Sequence, residues 1–160
     1  MLKKVSLLWE KNKQTLKKEL KDDLLKMIND GITSADKADY KWLIKAIIKH
    51  ILNKDDEVTF SFEDEEITEV DNGCYQGTLL FLFHTVSYQP SANEYLITKV
   101  EYGSCSGCDA LQSAVSLMEF NCVIDSLMSI CLHICQNIKK PYHGGWMLEE
   151  WDEEMSYNYD

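Results

Sequence analysis

Two cysteines near the middle of the chain have the spacing that most clearly suggests chemistry. Cys105 and Cys108 are separated by two residues, and they lie between a strand-like run and a helix-like run. Two thiolates at this spacing can hold one tetrahedral zinc ion, and Gly107 frees the backbone between them. A structural zinc site needs two more ligands, and Cys131 and Cys135, four residues apart on one helical face, are the candidates. The first hypothesis is therefore a zinc site formed by these four cysteines.

The same cysteines also fit other interpretations. The second pair lies in an apolar helical run, where cysteine is often a small buried core residue. The first pair could be redox-active, because a thiol at a helix N-terminus has a lowered pKa and attacks disulfides. Thioredoxin-like proteins place such a pair after their first strand and have a cis-proline strand later. This chain has only Pro90 before the motif and Pro141 near the end, so redox catalysis is the weaker alternative.

Polar side chains around the turn indicate a third interpretation, a ligand-binding site. The candidates offer hydroxyl, amide or carboxylate groups close to the cysteines: Gln76, Tyr102, Ser104, Ser106 and Asp109. Backbone amides at a helix start can hold an anion, and Gln76 joins the group if the strand from Gly77 pairs with the strand from Tyr95. Alternatively, these groups satisfy the turn itself, with Ser104 or Ser106 as helix N-cap and Asp109 as a first-turn acid.

Helical periodicity at both ends of the chain predicts the elements that position this turn. Apolar residues recur at three- and four-residue steps through 2–29, which predicts an amphipathic helix. A nearly all-apolar helix follows, with Ser34 as its N-cap and its end near Asn53. Residues 109–138 return to helical spacing, with Asn121 as a candidate break before Pro141 ends the run.

Alternating patterns between the helices predict strands. Residues 58–62 and 67–70 are expected to pair with each other across an acidic turn, and the apolar run 77–86 is expected to lie centrally. Residues 95–102 form the last strand, and the short turns imply an antiparallel meander. The predicted fold is α+β, with an N-terminal helical hairpin and a long C-terminal helix packed on a three- to four-stranded antiparallel sheet.

Length and composition favour one domain over residues 1–160. Its parts are a Lys-rich helical hairpin (1–54), the antiparallel sheet (55–104), the CxxC turn and helix (105–140), and an acidic, aromatic tail (141–160). No apolar run approaches the roughly 18 residues that span a bilayer, and the first residues lack the apolar core of a signal peptide. A cytoplasmic protein without membrane contact is expected, with its six cysteines as thiols or metal ligands rather than disulfides.

The net charge of −11 is unevenly divided. Residues 1–54 carry 13 lysines and seven acids (+6), whereas residues 55–160 carry three lysines and 20 acids (−17). Arginine, whose planar fork reads base edges, is absent, so no specific nucleic-acid binding is expected. The acidic part is expected to face a basic partner protein or the helical hairpin of a second copy, which would make a homodimer.

Four segments in this order resemble small proteins encoded by bacteriophages and prophages, a group without an established activity. The segments are DNGCYQGTLLF (71–81), YQPS (88–91), YGSCSGCD (102–109) and LHICQN (132–137). The resemblance covers about residues 65–140 and implies a phage accessory protein in the cytoplasm of an infected bacterium. The expected function is a non-enzymatic binding module for a host protein or a small ligand, for counter-defence or host takeover. The alternative is a thiol-dependent or metal-dependent enzyme.

Overall fold

The computed structural model describes residues 3–30, 39–56, 60–117 and 119–141. Within these ranges, the α-helices and strands follow one another in the order α1 (Lys3–Asn29), α2 (Tyr40–His50), β1 (Thr68–Asp71), β2 (Gly77–His84), β3 (Tyr95–Tyr102), α3 (Ala110–Val115) and α4 (Phe120–Gln136). The sheet order is β1-β2-β3, with both pairs antiparallel. The predicted α+β class, the meander and the central position of β2 are confirmed. Within those four ranges, no helix is long and apolar enough to cross a membrane.

The helices cover one face of the sheet. On this face the side chains are almost fully buried, and they alternate along each strand with half-buried or exposed neighbours. They are Phe81 and Phe83 of β2 and Leu96 and Val100 of β3. Thr98, on the same face of β3, is also buried, and its hydroxyl donates a hydrogen bond of 3.0 Å to the carbonyl of a residue in α4. This bond and the apolar contacts fix α4 against the strand that leads into the CxxC turn.

Helix α2 begins later than the sequence pattern indicates. Asp39 has an extended backbone, and its side chain accepts a 2.7 Å hydrogen bond from the backbone N–H of Trp42, so Asp39 is the N-cap. The predicted cap, Ser34, lies outside the described residues. Aspartate and serine are equally good N-caps, so residue type alone does not show whether Ser34 or Asp39 caps α2.

The predicted hairpin between residues 58–62 and 67–70 is wrong for the part that the structure describes. Phe62 forms an isolated bridge with Thr85, just beyond β2, and Thr68–Asp71 pairs with Leu79–Leu82 of the same strand. Both segments therefore follow one edge of β2. The acidic turn between them interrupts a single edge strand and does not reverse the chain.

Each edge of the sheet is closed at one point. On the β3 side, Ile97 and Lys139 exchange two backbone hydrogen bonds of 2.8 and 2.9 Å. On the other side, the Asn53 side-chain amide donates to the Phe62 carbonyl at 2.9 Å and accepts from the Phe62 N–H at 2.7 Å. The Asn53 side chain thus takes the place of a neighbouring strand's peptide group.

The predicted helix over 109–138 is divided into α3 and α4, and the break comes earlier than Asn121. Helix α3 is capped by Asp109 and ends at Val115, and α4 begins at Phe120. Ser116 follows α3, and its hydroxyl donates a 2.6 Å bond back to the Gln112 carbonyl. This short α3 lies directly after the CxxC turn.

Part of the uneven charge is neutralised within the molecule. Four lysines of the first 54 residues form 2.6 Å ion pairs with acids of the remainder: Lys4 with Asp55, Lys11 with Asp56, Lys17 with Asp125, and Lys45 with Glu65. Exposed pairs of this kind contribute little stability individually, whereas in the pair of Lys4 with Asp55 the acid side chain is only 7% exposed. They nevertheless show where the basic helices and the acidic remainder meet.

The pair of Lys45 and Glu65 leads to a testable pH effect. The hydrogen bond from Lys45 is the largest cause that holds the pKa of Glu65 below its ordinary 4.5. Because the folded-state pKa is depressed, the pair stabilises the fold above pH 4.5, and this contribution is lost as the pH falls through the lowered value. In Lys45→Met, NMR titration of the carboxyl should show the pKa of Glu65 rising toward 4.5. Lys18→Met, which removes a separate pair with Asp22, should leave it unchanged.

Candidate functional site

The CxxC segment forms a tight turn between β3 and α3. The Cys105 carbonyl accepts hydrogen bonds from the N–H groups of Cys108 and Asp109, both at 2.9 Å. This turn brings the two Sγ atoms of the cysteine pair to 2.8 Å from each other, and both side chains are exposed. Two free thiols are therefore in contact at a surface that solvent reaches.

The environment of Cys108 favours its thiolate. The Cys105 thiol is the largest cause that lowers the pKa of Cys108 from its ordinary 9.0, and the Cys105 N–H, 3.1 Å from the Cys108 Sγ, lowers it further. Ser104 also contributes through its backbone and side chain, while desolvation opposes them. These contacts lower the pKa of Cys108 and so raise the share of its thiolate at a given pH.

Gly103 is needed because the chain approaches itself closely, not because of an unusual backbone angle. A Cβ atom at this position would lie 2.4 Å from the Cys108 carbonyl oxygen and 2.6 Å from its Sγ. Gly107 differs, since a Cβ there would meet only the Cys105 Sγ, at 3.8 Å. Neither glycine has a left-handed φ. The expectation that Gly107 must free the backbone is therefore not supported by its surroundings.

Asp109 anchors the turn to the rest of the molecule. Its carboxylate accepts hydrogen bonds from the N–H of Gln112 at 2.8 Å, the N–H of Gly103 at 3.2 Å and the hydroxyl of Tyr40 at 3.2 Å. Asp109 is only 5% exposed. It is the N-cap of α3. The alternative in which Ser104 or Ser106 caps this helix and Asp109 is a first-turn acid is therefore wrong.

Tyr40, at the start of α2, connects two elements that are distant in sequence. Its hydroxyl donates to Asp109 and accepts a 3.2 Å bond from the N–H of Leu111. Burial is the largest cause that raises the pKa of the Tyr40 hydroxyl to about 12. The group therefore keeps its proton, and its bond to the carboxylate, throughout the physiological range.

The structure does not bring the two cysteine pairs together. Cys131 and Cys135 are fully buried in α4, and burial raises the pKa of both thiols. Among the described residues, no group of three or more His, Cys, Asp or Glu side chains is placed to hold a metal ion. Two neutral core thiols and two exposed thiols do not make a four-ligand zinc site, so the described residues do not fit that hypothesis.

A pocket of about 420 Å³ lies between the sheet, α3 and the start of α2. Its apolar surface is formed by Leu79 and Phe81 of β2 and by Leu111 and Val115 of α3. The polar lining consists of Asp39, Tyr40, Glu69, Tyr102, Asp109, Gln112 and Ser116. Among the described residues that line the pocket, three are carboxylates and none is a lysine or a histidine.

The five predicted ligand-binding residues are divided by the structure. Tyr102 and Asp109 line the pocket, whereas Gln76, Ser104 and Ser106 are exposed and outside its lining. Gly77 does pair with Tyr102, as the argument for Gln76 required. At the predicted anion site at the start of α3, two of the N–H groups are already bonded, that of Leu111 to Tyr40 and that of Gln112 to Asp109.

Sequence reasoning missed most of the pocket lining. Tyr40 lies 69 residues before Asp109, and nothing in the local pattern of α2 indicates a contact with the CxxC turn. Glu69 could have been found from the correct strand register, because it is opposite Phe81 on the face that the helices cover. Tyr102, one of the predicted residues, lines the pocket, and its hydroxyl donates a 2.8 Å bond to Asp71.

The chain matches no protein-family model, and neither a curated protein nor a solved structure matches it. The resemblance of residues 65–140 to bacteriophage and prophage proteins therefore stays a prediction.

Proposed function

We propose that this protein is a non-enzymatic binding module for a small molecule that carries a cationic group beside an apolar one. The pocket between the sheet and α3 carries this proposal. Its volume of about 420 Å³ lies in the range of small-molecule sites, and it combines an apolar surface with a few polar groups. Of the two expected classes of binding partner, a host protein and a small ligand, we therefore choose the small ligand.

The charge of the lining supports a cationic ligand. The Asp109 carboxylate is occupied by its three hydrogen bonds, and one Asp39 oxygen accepts from Trp42. Glu69 has no hydrogen-bond or ion-pair partner among the described residues, and it is exposed at the pocket edge. The net charge of −11 would also draw cations toward the molecule. Glu69 is therefore the residue that we assign to the ligand's cation.

The biological setting of this role rests on the sequence alone. The resemblance to phage proteins would place the protein in an infected bacterial cell, where binding a small molecule could interfere with a host defence or redirect metabolism. Specific nucleic-acid binding and membrane contact have no part in the proposal. A homodimer through the charged faces is compatible with it.

Phenethylamine is a suitable probe because it has one ammonium group and one small apolar ring. Phenethyl alcohol and phenylpropionate have similar shapes with neutral and negative groups. We expect NMR titration of the full chain to show the amine shifting signals of Leu79, Leu111 and Val115, with weaker effects from the alcohol and none from the acid. Glu69→Gln should weaken amine binding about five-fold, as expected for the loss of about 1 kcal/mol of attraction in high dielectric.

Glu101→Gln is the matched control, since Glu101 is exposed on β3 and does not line the pocket. It removes the same charge and should leave amine binding unchanged. Equal binding of the amine and the acid, or equal losses in both variants, would contradict the proposal.

A further inference from the structure

The thiol pair at the turn has properties that the binding pocket does not use. Neither Cys105 nor Cys108 lines the pocket. Their sulfur atoms are 2.8 Å apart and exposed, in a turn whose backbone hydrogen bonds hold both residues. Since a disulfide bond is about 2.05 Å long, the sulfurs would have to approach by only about 0.8 Å to form one.

We propose that Cys105 and Cys108 form a redox pair that undergoes thiol–disulfide exchange with small disulfides. Cys108 is the attacking sulfur and Cys105 the resolving one. The roles follow from the shorter of two contacts: the Cys105 N–H lies 3.1 Å from the Cys108 Sγ and favours a negative charge there, whereas the 3.3 Å bond from that Sγ to the Cys105 carbonyl is lost with the proton. The Cys105 thiol lies within reach of the sulfur that it would attack.

The exchange has two steps. The Cys108 thiolate attacks one sulfur of a disulfide such as oxidised glutathione, the disulfide bond breaks, and one glutathione thiolate leaves and takes up a proton. The Cys105 thiol then loses its proton to solvent and attacks the Cys108 sulfur, which expels the second glutathione. Two protein thiols have become a disulfide, and one oxidised glutathione has become two reduced molecules. A dithiol reverses both steps.

The other cysteines provide internal comparisons. Cys131 and Cys135 are buried and out of reach of reagents in the folded protein. Cys74 and Cys122 are exposed, but neither is hydrogen-bonded to another thiol. The charge of Glu119 is the largest cause that raises the pKa of Cys122 above its ordinary value. Two exposed thiols therefore exist that lack the features of the proposed pair.

The experiment uses the full chain, reduced and treated with chelator, then equilibrated with mixtures of reduced and oxidised glutathione. Acid quenching, alkylation and peptide mass spectrometry identify the state of each cysteine. We expect the wild type to form an intramolecular Cys105–Cys108 disulfide. Cys105→Ser should instead accumulate a glutathione adduct on Cys108, at least ten-fold faster than Cys108→Ser accumulates one on Cys105. Circular dichroism checks that both variants are folded.

Several outcomes would overturn the inference. One is the absence of the disulfide at every glutathione ratio, and another is an adduct that forms equally fast on Cys74 and Cys122. A third is that the two thiols resist alkylation even after reductant is added but react once chelator is added, which would identify a metal-binding pair. Binding of phenethylamine requires neither thiol. A negative result for disulfide exchange would therefore leave the proposed binding function intact, and a negative result for amine binding would leave the proposed redox pair intact.

Discussion

Replacing Asp109 with alanine should lower the free energy of unfolding by about 3 kcal/mol. The loss of an N-cap costs about 1 kcal/mol. In addition, the N–H of Gly103 and the hydroxyl of Tyr40 lose their acceptor in a buried place, and an unsatisfied buried group costs about 1–3 kcal/mol. Urea denaturation followed by circular dichroism measures the effect.

Asp39→Ala is the matched control for this prediction. Asp39 is also an aspartate that caps a helix, through a 2.7 Å bond from Trp42, but it is exposed and makes no comparable link to another element. Its replacement should cost only about 1 kcal/mol. Equal costs for the two variants would show that the bonds from Tyr40 and Gly103 contribute nothing beyond the cap.

Replacing Gly103 with alanine should cost about 2–3 kcal/mol, since the new methyl group overlaps the backbone of Cys108. The nearest atom, a carbonyl oxygen at 2.4 Å, belongs to the main chain of the turn and cannot rotate away as a side chain would. Relief of the overlap requires the turn to shift, which also displaces the Cys108 sulfur. We therefore expect slower alkylation of Cys108 in this variant, in addition to the lower urea midpoint.

Gly107→Ala provides the comparison, because the same methyl group at this position has an ordinary contact at 3.8 Å. The free energy of unfolding should change by less than about 1 kcal/mol. If both alanine variants were equally unstable, the glycines would be needed for a backbone conformation rather than for the close approach at Gly103.

The local elements could be predicted from the sequence, because their signals lie within a few residues. The stripe of apolar residues in α1, the apolar run of β2 and the alternation in β3 each indicated the correct element. The position of the CxxC pair between β3 and α3 also followed from the change of periodicity at Tyr102. These patterns depend on neighbours that are close in sequence.

Pairing and packing across the chain could not be predicted in the same way. The segment around Phe62 has the alternation of a strand, but periodicity does not state which strand it joins. The contact between Tyr40 and Asp109 depends on how α2 and α3 pack, and a pattern within either helix carries no information about it. Gly103 and Gly107 look equivalent in the motif, and only the fold of the turn shows which one faces Cys108.

The closed edges of the sheet have a consequence for self-association. A sheet edge with free N–H and C=O groups can recruit a strand from another molecule, which leads to aggregation. Here the Lys139 backbone covers the β3 edge at Ile97, and the Asn53 side chain covers the opposite edge at Phe62. The exposed strand β1 also carries Glu69 and Asp71, whose charges oppose the approach of an identical edge.

At Ile97 and at Phe62, a strand from a second copy would therefore find the backbone N–H and C=O groups already bonded. Asn53 does with its side chain what Lys139 does with its backbone, since each binds both the N–H and the C=O of the residue that it covers. Its replacement by a residue without an amide would keep the monomer's strands and open a place where strands from different molecules could join.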